Sequence, residues 1–149
     1  TVMCTGIGRA DVFALVLGAG KPGEKESKAC FAVLRFTGGK LTDSETFITE
    51  SPSDYAAAAG ELLRGYYLLR TDDIPPKVVF DGEVEDRELL EQWLSSSAGR
   101  RVRIQRPSRG AQTDAAALSR SNAAEKLAGS TGRTATIVEP SKASAFRFR

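Results

Sequence analysis

Five arginines stand at positions 100, 101, 103, 106 and 109, and no acid interrupts them before Asp114. Guanidinium forks match phosphate oxygens in shape and charge, so such a run can grip a nucleic-acid backbone. Val102 and Ile104 alternate with Arg101, Arg103 and Gln105, the period-two pattern of a strand buried on one face. Arg101, Arg103 and Gln105 then share the other face, and Arg106 and Arg109 follow where Pro107 and Gly110 break the strand. Arg101, Arg103, Arg106 and Arg109 are therefore the candidate DNA-binding residues. The plainer alternative is a basic sheet edge that charge keeps from aggregating.

The elements that must hold this strand follow from periodicity. Ala10 to Leu17 is almost wholly apolar after Asp11, as a strand buried on both faces should be. A glycine- and lysine-rich loop at 18–28 precedes strands at Ala29–Thr37 and Leu41–Ile48, with Gly38-Gly39 as a tight hairpin turn (a phosphate nest is the other use of such a pair). Pro52 to Leu69 has helical spacing, with Ser51 or Ser53 as cap and Tyr66 and Tyr67 expected in the core rather than stacked on bases. Lys77–Phe80 is a short strand. Val84–Leu94 is an amphipathic helix with Leu89, Leu90, Trp93 and Leu94 inward and the acids from Glu83 to Glu91 outward. Ala115–Leu127 is a further helix. The order is three strands, helix, strand, helix, strand, helix. Right-handed crossovers make the last two strands parallel to the first. The expected fold is therefore α/β: a ribonuclease-H-like five-stranded mixed sheet, order 3-2-1-4-5, with flanking helices. Residues 1–9 read as an N-terminal extension, 10–128 as the domain, and 129–149 as a linker or disordered tail.

Composition narrows the chemistry. The 149 residues carry a net charge of only +2, but residues 51–99 balance to −6 and residues 100–149 to +8, so an anion meets the last third first. The chain has no histidine, which removes Ser-His-Asp and Cys-His nucleophilic sites and histidine-ligated zinc. Cys4 and Cys30 lack metal-ligand spacing and suit a reduced, cytoplasmic protein, with Cys30 in the core. No apolar run is long enough to span a membrane. Nor does the start have a signal-peptide layout.

An active nuclease remains the enzymatic alternative. Asp11, Glu61, Asp81 and Asp114 put one acid on each element where a ribonuclease-H-type enzyme holds two Mg²⁺ ions. But Asp11 begins its strand and Asp81 ends a parallel one. An offset of about six residues at ~3.3 Å each separates them by ~20 Å, against ~4 Å between paired ions. Asp11 reads instead as a strand-start or turn residue, and Asp81-Gly82 as a turn. No catalytic residue, metal or cofactor is expected.

DVFAL at Asp11, FTGGKL at Phe36, LLRGYYL at Leu62, IPPKVVF at Ile74, ELLEQWLSSSAGRRVRIQRPSRG at Glu88 and SNAAEKLA at Ser121 occur here in one order. Together they resemble the middle region of the UvrC family, a component of the bacterial UvrABC excinuclease. The resemblance covers about residues 10–128. It implies a non-catalytic ribonuclease-H-like domain that positions nuclease modules in nucleotide excision repair, within the SOS response. The partners it implies are the other UvrC-type domains, UvrB and damaged duplex DNA, with no membrane. Neither the family's GIY-YIG nuclease nor its Asp-Asp-His set has a counterpart in this chain, and the stretch after Gly129 departs from the family pattern. A protein-binding spacer without DNA contact is the alternative from another class.

Overall fold

The computed structural model describes residues 3–18, 27–108 and 110–131. Five strands form one sheet: β1 (Ala10–Leu17), β2 (Lys28–Thr37), β3 (Lys40–Glu50), β4 (Lys77–Phe80) and β5 (Arg103–Gln105). Their order is β3-β2-β1-β4-β5, as expected. β2 is antiparallel to β1 and β3, while β4 runs parallel to both β1 and β5. All eight residues of β1 are buried, which fits its central place and its apolar run.

Three helices cover the sheet: α1 (Tyr55–Leu68), α2 (Arg87–Ala98) and α3 (Ala111–Thr131). α1 and α2 lie over Phe13, Phe31, Val78, Phe80 and Ile104, where Leu63, Tyr66, Tyr67, Leu90 and Leu94 complete the core. Phe13 stacks on Phe31 with centroids 5.2 Å apart and meets Tyr66 and Tyr67 edge-on. Each such side chain contributes about 1.5–3 kcal/mol by leaving water. Both tyrosines are core, as expected. α3 lies on the opposite face and packs closely there because Ala115, Ala116 and Ser119 meet Ala10 and Val12, all small or short side chains.

Local chemistry explains the turns. Gly38 and Gly39 have φ of 61° and 79°, the left-handed backbone that a two-residue hairpin needs. That accounts for both glycines as a turn. Gly60 lies inside α1 because the chain before α2 crosses there: a Cβ would sit 3.2 Å from Glu85 O.

Helix starts differ from expectation. α1 begins at Tyr55, and its cap is Asp54, whose Oδ1 accepts from the Ala57 amide at 3.1 Å; neither Ser51 nor Ser53 serves. α2 begins three residues late, at Arg87, behind Asp86 in left-handed geometry (φ 54°). Leu90 and Leu94 point inward, while Leu89 is 65% exposed and Trp93 half-buried. Leu89 and Trp93 are both expected inward; Trp93 does pack against the edge of the core, and Leu89 does not. α3 begins at Ala111, four residues early, where the Gln112 side chain accepts from the Ser108 amide.

α2 also seals the sheet edge. Arg87, Glu91 and Ser95 recur at four-residue spacing, so they line one stripe of the helix. Ser95 Oγ accepts from Val102 N at 2.8 Å, Glu91 Oε2 accepts from Ile104 N at 2.7 Å, and Arg87 Nη1 donates to Ile104 O at 3.2 Å. Side chains thus take the place of a sixth strand. Glu91, expected among the outward acids, is turned inward for this purpose.

Candidate nucleic-acid interface

β5 is anchored before it is exposed. The Arg103 amide donates to Pro76 O at 3.0 Å, and Ile104 pairs with Val78. Val102 and Ile104 are each only 2% exposed, so the flanking arginines turn to the other side of the strand. Arg101, Arg103 and Arg106 are all exposed. None of the three has an ion pair or side-chain hydrogen bond among the described residues. The alternating pattern is found as read. Arg109 lies outside the described residues.

Two neighbours modify the patch. Gln105 shares the arginine face but donates from Nε2 to Gln112 Oε1 at 3.2 Å, and so ties β5 to α3. Arg100 is committed to structure, with Nη2 donating to Ile74 O at 2.5 Å.

The residue that sequence reasoning missed is Lys77. It is the direct register partner of Arg103 in the parallel β4–β5 pair, so the two side chains leave the same face side by side. Like charges opposite one another are unfavourable in a sheet. Neither cation has an acid in ion-pair range among the described residues, and an anion between them would remove the repulsion. Only the strand register reveals Lys77, and no pattern in the sequence carries that register.

At the carboxyl end of β4 the arrangement is different. Asp81 Oδ2 receives Arg120 Nη1 of α3 at 2.9 Å. The Tyr55 hydroxyl donates to Leu15 O at 3.1 Å. Burial pushes the Tyr55 hydroxyl well above its ordinary range, and the Asp81 charge adds to that against the nearby Arg106 and Arg120.

The four acids that could have held metal do not converge. Asp11 is the second residue of β1, the strand-start placement rather than the turn, and it is buried there. Arg35 grips it at both oxygens, 3.0 and 3.1 Å, and Tyr67 donates its hydroxyl to Oδ2. Burial pushes the Asp11 carboxyl up, while Arg35 and Tyr67 pull it down. Arg35 also pairs with Asp73 at 2.7 Å, and Arg9 holds the other Asp73 oxygen at 3.0 Å. The cluster pins the segment ahead of β4 to the sheet.

The offset between Asp11 and Asp81 is also smaller than expected. Phe13 pairs with Phe80, so Asp81 is level with Ala14, three positions beyond Asp11 rather than six. That is about 10 Å along the strand. Facing separates them instead: Asp11 turns to Tyr67 of α1, Asp81 to Arg120 of α3, on opposite sides of the sheet. Glu61 is exposed on α1 and Asp114 exposed in the first turn of α3. Among the described residues no three His, Cys, Asp or Glu side chains cluster to hold a metal. No helix among them is long and apolar enough to cross a membrane.

Comparison with known proteins identifies the family. A family model described as the UvrC ribonuclease H-like domain matches residues 9–130. The UvrABC system protein C of Alkaliphilus metalliredigens is 36% identical over 116 residues, 76% of this chain and 17% of that protein. The UvrABC system protein C of Chromohalobacter salexigens is 30% identical over 128 residues, 85% of this chain and 20% of that protein. In Clostridioides difficile the protein of the same name is 32% identical over 103 residues, 68% of this chain and 17% of that protein. The chain therefore spans about a fifth or less of the length of these relatives.

Proposed function

Because this chain belongs to the family of UvrC ribonuclease H-like domains, we propose that it is a non-catalytic positioning domain of an excinuclease in nucleotide excision repair. In this reading the β4–β5 edge rests on DNA phosphates. The observation that carries it is the side-by-side placement of Lys77 and Arg103 on an exposed face that also bears Arg101. A cation pair that no protein acid neutralises is suited to a polyanion. Arg106 extends the patch at the turn.

The acids support catalytic silence. Asp11 is occupied by Arg35 and Tyr67, and Asp81 by Arg120, on opposite faces. The remaining modules of the parent protein and UvrB are its protein partners in this reading, and the bacterial cytoplasm its compartment.

The test is fluorescence anisotropy of labelled duplex DNA across a salt series. Binding in the ~10⁻⁴–10⁻⁶ M range is expected, nearly blind to sequence, with a log–log salt slope of about −3 to −4 for three or four phosphate contacts. Absence of salt-sensitive binding at low ionic strength favours a spacer that meets only protein.

A further inference from the structure

We infer that the free edge of β3 pairs antiparallel with β3 of a second copy of this chain, about a two-fold axis at Phe47. The sheet treats its two edges differently. That of β5 is closed by Arg87, Glu91 and Ser95 of α2. At β3 the bridge between Met3 and Lys40 covers only the start of the strand. Ser51 N donates to Ser27 O at 2.9 Å, and with the β2–β3 register this fixes where the backbone groups point. Beyond the bulge at Arg35 and Phe36, odd-numbered residues of β3 bond inward to β2, and even-numbered ones turn their amides and carbonyls outward. Among the described residues the amides of Thr46, Ile48 and Glu50 find no partner. The Ser44 amide meets only the neighbouring Asp43 side chain, at 2.9 Å. Residues 44–50 also contain none of the lysines and prolines that guard an open edge.

The same stretch identifies its occupant. Its midpoint is Phe47, the one aromatic residue of β3, which is 38% exposed. An antiparallel partner must set even residues opposite even ones, because only those carry free groups. With the axis at Phe47, Thr46 faces Ile48 of the second copy and Ser44 faces its Glu50, and the reverse pairs follow by symmetry. Every outward amide of the stretch then has an acceptor. Phe47 meets its own counterpart at a position without hydrogen bonds, where side chains on neighbouring strands stand closest. Its ring already lies 6.3 Å from those of Phe31 and Tyr66, so the two copies join one aromatic row across the axis.

Charge selects the same register. With the axis at Phe47 no two like charges stand opposite one another, since Glu45 faces Thr49 and Glu50 faces Ser44. Glu45, the charge nearest the axis, is already paired with Arg70 at 3.2 Å. An axis at residue 45 sets Glu45 against itself, which is unfavourable. An axis at residue 46 sets Glu45 against Phe47, and one at residue 48 leaves Ser44 unpaired. Only the axis at Phe47 pairs the rings and uses the whole free stretch. One strand and one ring make a contact at the small end of stable interfaces (~1,200–2,000 Å² in total), so the dimer forms reversibly with concentration.

Sedimentation equilibrium of the full chain between about 10 µM and 1 mM tests this. The average mass should climb from monomer toward dimer and stop there, because α2 closes the other edge. Thr46→Pro removes an outward amide while sparing the ladder to β2, as proline on an edge strand can. Phe47→Lys sets two cations against each other across the axis. Each should weaken the dimer about tenfold or more with circular dichroism unchanged; if Thr46→Pro disturbs the spectrum, Phe47→Lys decides. Register has its own readout, because Cys4 and Cys30 are both buried. In oxidised glutathione Phe47→Cys should link two copies by a disulfide, and Thr46→Cys, which faces Ile48 rather than itself, should not. A chain that stays monomeric up to about 1 mM overturns the proposal and leaves the edge to an extended strand of another protein. Association that Phe47→Lys leaves untouched also overturns it, as does equal cross-linking of the two cysteine variants.

Discussion

Glu91 Oε2 accepts a 2.7 Å hydrogen bond from the Ile104 amide, so a helix side chain occupies the outer edge of the last strand. An open edge invites pairing with another chain, and proteins block it with charge, bulges or a covering element. Here the cover is specific. Ser95, Glu91 and Arg87 satisfy Val102 and Ile104 in turn, so Arg103 of β5 and Arg101 before it are not needed for edge protection. That division of labour favours an external role for Arg101 and Arg103.

Replacing Glu91 with Ala leaves the Ile104 amide without its acceptor and Arg87 without its pair. A loss of about 1–3 kcal/mol is expected for an unsatisfied, partly buried donor. Glu91→Gln, which keeps an acceptor oxygen, should cost less. Urea unfolding measures both, and light scattering should show the Ala variant self-associating. Equal stability of wild type and Glu91→Ala contradicts the edge-sealing role.

Asp11 and Arg35 form a buried pair that the Tyr67 hydroxyl joins. Asp11→Ala leaves Arg35 with Asp73 as its one carboxylate partner and the buried Tyr67 hydroxyl without its acceptor, a loss of about 1–3 kcal/mol. pH adds a signed test. Burial raises the folded carboxyl above its ordinary 3.8, so the folded state holds the Asp11 proton to higher pH than the unfolded chain does. Its contribution is fully present below that value and is lost as pH rises through the folded pKa. The stability difference between wild type and Asp11→Asn should therefore shrink with rising pH over that window and then level off. A difference that grows with pH there means that Arg35 and Tyr67 outweigh burial.

Catalytic silence is tested with metal. Purified chain incubated with Mg²⁺ and supercoiled DNA should leave the DNA closed, and Asp81→Asn should behave like wild type. Nicking that depends on Mg²⁺ and disappears in Asp11→Asn or Asp81→Asn refutes the silent reading.

Much of this architecture was readable from residue order. The period-two runs, the Gly38-Gly39 turn and the all-apolar β1 each have one cheap backbone solution, and together they dictated the strand order. Val102 and Ile104 likewise placed Arg101 and Arg103 outward. What eluded reading depends on phase and register. Leu89 and Glu91 were misassigned because the Arg87, Glu91 and Ser95 stripe is drawn onto the β5 edge, which turns Leu89, on the other side of Leu90, to the surface. The strand-start place of Asp11 was legible, but its buried pairing was not, because Arg35 and Tyr67 are 24 and 56 residues away. Lys77 was overlooked because parallel strands separated by a helix carry no local mark of their register.

The central claim is that the arginine face of β5 meets phosphate, and the salt slope of DNA binding tests it most directly. Wild type and the Arg101→Ala, Arg103→Ala double variant should be titrated with duplexes of unrelated sequence over a series of salt concentrations. The account predicts weaker binding for every sequence and a slope flatter by roughly two, one unit per lost contact. Stability should hardly change, since exposed charges contribute only ~0–1 kcal/mol each. A double variant that binds with the wild-type affinity and slope contradicts the claim.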